Sequence, residues 1–444
     1  MNREDRPRTR ARAVVSLRAM STPHTVAAEE HLPRDTADVV RTVRDSRQRA
    51  EPLTVCGGEL ADDGVSVPDQ RAVVSMRRMN SVLDINLGRG TVRVQAGARL
   101  SEIDRRLGAH GLGLPIVGDH RDITAGGFAS VGGVSTASHK YGMFIDQIVD
   151  LEYVDPDGRI GTCGRDHHTE RFHRILGAGG RAGIITALTL DTVAVDKDHS
   201  WLSTNAHRFL DFDSFVEYAH GQVARPGEAV LQVGRWVDTA PLKVSRPVGT
   251  GHVQLGTVRF GQWSSLYPTA PTRSLRARRE VGTRARKSLG VIASAAGGRA
   301  GMPVRNAAAG AVMLTPKVLT LRDAEYLADT VISSSERGPA YRVGVFAPLS
   351  SYTSVFYRLH DLFAGHRERT GCFTVISAMT YGVRSKFLRA ESATRGLPTE
   401  DHGLITFTCR LRPASLPSEQ LRDIVTTIDE ICRSENALRY ESGE

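Results

Sequence analysis

No apolar run in the 444-residue chain approaches the roughly 20 residues a helix needs to cross a bilayer, which excludes a membrane-spanning helix. Cysteine is scarce: five residues, Cys56, Cys163, Cys372, Cys409 and Cys432, with no C-x-x-C pair among them. That argues against a disulfide framework or a zinc site and for a reducing, cytoplasmic location. His167-His168 finds no third ligand at metal spacing, so no metal is expected. Lysine occurs at six positions only, so the net charge of +9 is carried by arginine. A basic balance of this kind favours phosphate-bearing partners. No zinc-finger, RRM or helix-turn-helix signature accompanies it, and no nucleic-acid partner is expected. The Arg-rich start lacks an apolar core followed by a small-residue cleavage site, so residues 1–30 are expected to be a disordered extension rather than a secretory signal.

What is present is an ordinary globular composition, 40% hydrophobic and 24% charged, in a chain long enough for two domains. Asp35 or Thr36 caps a helical pattern through Val39, Val40 and Val43. Pro52–Cys56, Ala72–Met76, Val82–Asn86, Thr91–Gly97, Gln147–Val154 and Gly183–Val195 read as strands, and Ser101–Gly108 as a capped short helix. From Trp201 onward, Leu231–Val237, His252–Phe260, Tyr341–Phe346, Phe373–Met379 and Leu404–Leu411 read as strands of a second sheet. Ala324–Ser334 and Ser418–Cys432 read as amphipathic helices, and 270–310 as a mobile loop or exposed helix. Strands interleaved with short helices imply an α+β fold.

Asp119 to Ser135 is the most informative stretch: Thr124, Gly126, Gly127, Ser130, Gly132, Gly133 and Ser135 lie within it. A pyrophosphate needs backbone N–H groups aimed at its oxygens and a main chain that comes very close, which only small residues permit. Thr124, Ser130 and Ser135 add hydroxyl donors. Taken alone, such a stretch is more often a tight turn. It is not a Rossmann fingerprint, because no strand leads straight into it and no helix clearly follows.

The order of the flanking segments resembles the PCMH-type FAD-binding domain of the vanillyl-alcohol oxidase superfamily, as in cytokinin dehydrogenases and decaprenylphosphoryl-ribose oxidases. The resembling segments are Val73–Asn80, Thr91–Gly97, Thr124–Gly127, His139–Asp146 and Gly183–Thr186, in order along about 150 residues. The resemblance implies a two-subdomain FAD-binding domain over 31–195. An α+β substrate domain built on an antiparallel sheet would follow over 196–444, with a C-terminus shorter than the family's. It implies FAD held by Gly57 and Gly58 from one side and Thr124 to Gly133 from the other, with Ser135 and His139 nearby and Ile185 at the adenine. Ile185 reads equally as strand core, and Gly57-Gly58 equally as a turn.

The chain departs from the family at several points. The first glycine loop, Cys56 to Asp62, has no His, and Asp122-Ile123 stands where some relatives place a flavin-linking Cys, so the FAD is expected to be non-covalent. The ribose oxidases' active Tyr falls on Leu60, their sheet Cys near Thr406 (with Cys409 close by), and their late Lys within Arg439–Glu444, where there is none. Either the substrate side is truncated, or a partner chain or second copy completes it, or the chemistry differs.

Asp119 stands five residues before Thr124, as does the general base of cytokinin dehydrogenases; its other reading is a polar surface loop with a local salt bridge. A carboxylate against the flavin ring would be desolvated and suited to proton abstraction. Tyr267, Tyr341, Tyr352, Tyr357, His360, Tyr381 and Lys386 are the polar candidates of the second domain, with Tyr381 and Lys386 preferred because they follow a strand expected to face the flavin. The basic run Arg273 to Lys287 reads as a solvated loop, or as a patch for weak peripheral contact with anionic lipid or a phosphorylated substrate. The resulting expectation is an FAD-dependent dehydrogenase or oxidase acting on an alcohol, sugar or amine. The alternatives are a non-catalytic flavin-binding subunit and a non-redox cyclase on the same fold.

Overall fold

The computed structural model describes residues 30–58, 72–240, 242–245, 252–255, 257–272, 318–326, 340–397, 399–411 and 418–440. The extension 1–29, most of the 270–310 segment and its basic run, and Glu59 to Asp62 of the first glycine loop lie outside the described residues.

Strand β1 (Glu30–His31) leads into helix α1 (Thr36–Arg49). Asp35 caps this helix by accepting Asp38 N at 2.8 Å, and Ala50 closes it at φ 53°. Strands β2 (Leu53–Cys56) and β3 (Ala72–Ser75) complete a three-stranded parallel sheet in the order β1-β3-β2.

The next elements are β4 (Val82–Asn86), β5 (Thr91–Gln95), α2 (Leu100–Gly108), β6 (Leu112–Gly113), α3 (Ala125–Ser130) and α4 (Ser138–Tyr141). They are followed by β7 (Ile148–Val154), β8 (Ile160–Gly164), α5 (Thr169–Ile175), β9 (Ile184–Asp191) and β10 (Val193–Ala194). Five of the strands form an antiparallel sheet, β4-β5-β9-β7-β8, and β6 pairs with β10. The expected strand 183–195 is therefore two strands, and the glycine stretch contains a short helix, α3. The expected cap of α2 is also corrected: Arg99 holds the cap position, and Ser101 Oγ instead donates to the Arg121 carbonyl at 2.6 Å, tying the helix to the Asp119 loop.

Beyond β10 come β11 (Trp201–Phe209), α6 (Phe212–Ala224), β12 (Leu231–Thr239), the hairpin β13 (Leu242–Ser245) and β14 (His252–Leu255), and β15 (Arg259–Pro268). Then follow β16 (Val318–Thr320), α7 (Leu321–Glu325), β17 (Ala340–Pro348), α8 (Tyr352–Thr370), β18 (Phe373–Val383), α9 (Lys386–Thr394), β19 (His402–Leu411), α10 (Ser418–Ser434) and β20 (Leu438–Tyr440). The expected strand 252–260 is divided between β14 and β15. The expected helix 324–334 is described only as α7 with Tyr326; residues 327–339 lie outside the described set.

The second domain is built on an eight-stranded sheet, β16-β11-β15-β12-β18-β19-β17-β20, antiparallel throughout. Side chains alternate between its two faces. Trp236, Ala378, Phe407 and Val343 are paired laterally and lie in a core with Phe215 of α6, Phe356 and Phe363 of α8, and Ile424 and Ile428 of α10. Tyr381, Leu404, Phe346 and Leu438 form a row on the opposite face, and they belong to the core of the first domain, with Phe128, Met143 and Ile145. One sheet face is thus covered by helices and the other is laid, along one edge, against the glycine-rich region.

Two buried clusters join the domains. His139 is 3% exposed, with Nδ1 at 3.1 Å from the Thr136 carbonyl and Nε2 at 2.8 Å from that of Ala229, just before β12. Lys197 Nζ lies 3.1 Å from Asp104 Oδ1 of α2 and 2.9 Å from Glu325 Oε1 of α7, and donates to the Leu114 carbonyl. Arg322 closes the cluster on Asp104 at 2.6 Å.

Burial lowers the pKa of His139, His360, His366 and His402. A lowered folded-state value means that the unfolded chain takes up the proton first, so this stability is lost as pH falls below the ordinary histidine range. Glu325, pushed up by burial to about 7, works in the opposite sense over the same range. With Glu325 replaced by glutamine, the thermal midpoint is therefore expected to drop between about pH 7.5 and about pH 5.5. A flat or rising midpoint over that window would contradict this account.

Candidate active site

The two glycine loops meet. A Cβ placed on Gly57 would fall 2.3 Å from Thr124 Oγ1, and one on Gly127 would fall 2.9 Å from the same atom. Thr124 is 5% exposed, and its hydroxyl is buried without a hydrogen-bond partner. A buried hydroxyl of this kind carries a desolvation cost unless something else satisfies it. Gly127 beside it is exposed, and its amide bonds neither a backbone carbonyl nor the Thr124 side chain. The first turn of α3 therefore presents bare donors next to Gly57 and Gly58, as an anion cradle requires.

The remaining residues of the stretch have structural work. Gly126 lies under Ala96, to whose carbonyl it donates at 2.7 Å. Gly132 and Gly133 turn the chain at φ 90° and 68°, a region side chains disfavour, and their carbonyls accept from Ile145 N and Phe144 N. Ser130 Oγ bonds back to the Gly126 carbonyl at 2.8 Å, and Ser135 engages Ser138 and Ala137. His139 is held between the two carbonyls described above, as a domain tie.

A cleft of about 230 Å³ opens between the two sheets of the first domain, lined by Val43 and Arg47 of α1, Val55 of β2, Val154, Gly183 and Ile184. Its lining includes Gly183 and Ile184, of the segment that the resemblance places at the adenine. Ile184 lines it; Ile185, 5% exposed, belongs to the neighbouring core.

On the sheet side the structure brings together Tyr381, Asp119, Arg235 and Tyr440. Tyr381 is 4% exposed. Burial pushes its phenol well above the usual value, Tyr440 and Asp119 push the same way, and Arg235 opposes them. Tyr381 is therefore a neutral donor throughout the physiological range. Tyr440 reaches to 4.0 Å from a Cβ position on Gly132, which sets this cluster beside the second glycine loop. Asp119 is on the exposed side of its loop, 56% accessible, 3.9 Å from His120 Nε2. The burial expected for a carboxylate against a flavin ring is not supplied by the protein alone.

The other candidates lie apart. Lys386 is exposed on the first turn of α9, whose next residue, Phe387, stacks on His173. Tyr352 is fully buried on the helix side, with its hydroxyl 2.7 Å from Thr380 Oγ1; Tyr341, Tyr357 and His360 are also on that side. Tyr440 and Arg235 join this cluster without standing in any of the sequence motifs of the first domain. The signal for Arg235 is a charged residue on the face that Val233 and Val237 share in β12. No group of residues at metal-binding geometry occurs among the described residues, and no described helix is long and apolar enough to cross a membrane.

Residues 30–164 match the family model described as an FAD binding domain. An uncharacterized oxidoreductase of the fasciation locus of Rhodococcoides fascians is 30% identical over 163 residues, 37% of each chain. Cytokinin dehydrogenase 3 of Arabidopsis thaliana is 30% identical over 191 residues, 42% of this chain and 35% of the relative. L-gulonolactone oxidase of Bos taurus is 29% identical over 161 residues, 36% of each. The chain spans little more than a third of the length of these relatives. By this match, residues 30–164 form an FAD-binding domain of the PCMH type, as found across the vanillyl-alcohol oxidase superfamily.

Proposed function

We propose that the chain is an FAD-dependent dehydrogenase or oxidase that removes a hydride from a C–H beside oxygen or nitrogen of a small alcohol, sugar or amine. The observation that carries this reading is the unsatisfied Thr124 hydroxyl between Gly57 and Gly127, a site with donors and no acceptor. Gly57, Gly58, Thr124 and Gly127 would hold the diphosphate, and the 183–184 cleft the adenosine. No His or Cys stands at the family's linking positions, which supports non-covalent attachment.

When bound, FAD supplies a two-electron acceptor for the hydride. The chain's own residues do the rest. Tyr381 orients a substrate oxygen or nitrogen by donating a hydrogen bond. Asp119 accepts the proton that leaves the O–H or N–H as the C–H is broken. Arg235 and Tyr440 flank that exchange from the sheet. All five cysteines are buried, which fits a reducing cytoplasm.

The test is anaerobic bleaching of the flavin band by a panel of alcohols, sugars and amines. Asp119→Asn is expected to slow bleaching about 10²- to 10⁴-fold with FAD uptake unchanged. Full-rate bleaching by that variant would remove Asp119 as the base. A wild-type protein that binds FAD but is bleached by no donor would instead be a flavin-binding subunit.

A further inference from the structure

The loop from Asp119 to Ile123 joins two residues of the proposed site: Asp119 lies two positions before Arg121, and Thr124 three after it. Its own domain holds this loop through the N-terminal end of α2. Leu100 N donates to the Ile123 carbonyl at 2.8 Å, and Ser101 Oγ donates to that of Arg121. Arg99 Nε lies 3.3 Å from Asp122 Oδ1, but both side chains are more than half exposed, and such a pair contributes little. These contacts engage the loop from Arg121 onward, and the two hydrogen bonds act on its main chain.

The side chain of Arg121 is met from the other domain. Its guanidinium carbon stands 4.8 Å from the centre of the Tyr326 ring, the geometry of a cation over an aromatic face. Tyr326 directly follows α7 and is 1% exposed. Its hydroxyl is buried without a hydrogen-bond partner, so what Tyr326 offers the loop is its ring. The ring is also fixed in place. Glu325 beside it is bound to Lys197, Arg322 is bound to Asp104 of α2, and Tyr326 N donates to the Arg322 carbonyl at 3.4 Å. Buried charge thus locks α7 to α2, and the two elements hold the same loop, one by its main chain and the other by a side chain.

We propose that Tyr326 is a positioning residue for the flavin site: its ring, carried by the second domain, sets the loop that bears Asp119 and leads into Thr124. The coupling is reciprocal. If the ring steadies the loop for FAD, then FAD bound at the loop steadies α7 by the same free energy. The ring is one hold among several, so its removal loosens the loop rather than releasing it. The inference rests on the flavin reading for what the loop carries, but the contact between Arg121 and Tyr326 is independent of it.

The experiment is hydrogen exchange read by mass spectrometry on the full chain, with and without saturating FAD. Two segments are followed: 321–326 of α7, and 119–128, in which the amides of Ala125, Gly126 and Phe128 are hydrogen-bonded. Tyr326→Leu removes the ring, and Tyr326→Phe keeps it while deleting only the unsatisfied hydroxyl. Tyr326→Leu is expected to speed exchange of 119–128 about two- to fivefold without FAD, and to raise the FAD dissociation constant by a similar factor. Tyr326→Phe is expected to restore both. FAD is expected to slow exchange of 321–326 in wild type and in Tyr326→Phe, and to do so less in Tyr326→Leu. A shortened core residue also loosens packing, so Tyr326→Leu is repeated in an Arg121→Gln background, where it should have no further effect on 119–128. An equal effect in both backgrounds would overturn the proposal, by showing that the ring serves as core packing alone. Unchanged exchange of 119–128 in Tyr326→Leu would overturn it too, as would Tyr326→Phe behaving like Tyr326→Leu, or FAD that binds without protecting 321–326 in wild type. A chain that takes up no FAD would instead defeat the flavin reading, while faster exchange of 119–128 in Tyr326→Leu, absent from the Arg121→Gln background, would still assign the loop's position to the ring.

Discussion

Replacing Gly57 with valine is expected to weaken FAD binding by up to about a hundredfold. Any Cβ at this position meets Thr124 Oγ1 at 2.3 Å, and the added methyls extend into the seam between the two glycine loops. Overpacking of this kind costs about 1–3 kcal/mol, and each 1.4 kcal/mol is tenfold in affinity. The loss should appear as a higher dissociation constant in a fluorescence titration of FAD, with little change in the melting temperature of the FAD-free chain. Gly57 directly follows β2 and lies outside its pairing with β3, so the change leaves the strand intact. A companion change, Gly126→Ala, should behave oppositely. Its Cβ would meet Ala96 at 2.7 Å, so it lowers stability before it touches cofactor affinity. If Gly57→Val binds FAD as tightly as wild type, the seam is not where the diphosphate lies.

Removing the charge of Lys197 is the largest stability effect expected. Lys197 is 2% exposed and contacts Asp104 and Glu325, which are 0% and 6% exposed as side chains. Lys197→Met keeps the packing and strands Glu325 without its cation, and breaking one partner of a buried pair costs about 3–5 kcal/mol. Arg322 still holds Asp104, so Glu325 is the group left exposed to the penalty. Its carboxyl already sits at about 7 because burial disfavours its charge. Without Lys197 it would be pushed higher and would escape by taking a proton. The variant's deficit should therefore be largest at alkaline pH and shrink as the solution is acidified. Lys197→Met with Glu325→Leu should recover most of the loss. Urea denaturation of the three proteins measures this directly; a single-variant loss under about 1 kcal/mol would show that the cluster is solvated rather than buried.

The parts of this fold legible in the sequence are those governed by local chemistry. The Asp35 cap, the alternating strands β4 and β5 and the order of glycine segments around 57 and 124 can be read because each depends on residues a few positions apart. The helix Tyr352–Thr370 carries its own signal, apolar residues at 352, 355, 356, 359 and 363, which a reading of Tyr352 and Tyr357 as substrate candidates passes over. What the sequence hides is register. Lys197 and Glu325 are 128 residues apart, and nothing local to either shows that they meet. Arg235 and Tyr440 come to one row only through three intervening strands. The motif around His139 does not show that its ring reaches the Ala229 carbonyl, 90 residues away, while its other nitrogen lies against Thr136. Lys386 follows a strand that does face the cradle, but the turn into α9 carries it to the surface.

The most direct measurement is the visible spectrum of the full-length chain after equilibration with FAD and removal of excess, before and after acid precipitation. The account predicts a perturbed flavin spectrum in the native protein and a yellow supernatant over a colourless pellet. A protein that stays colourless in the presence of FAD would contradict the cradle formed by Gly57, Gly58, Thr124 and Gly127.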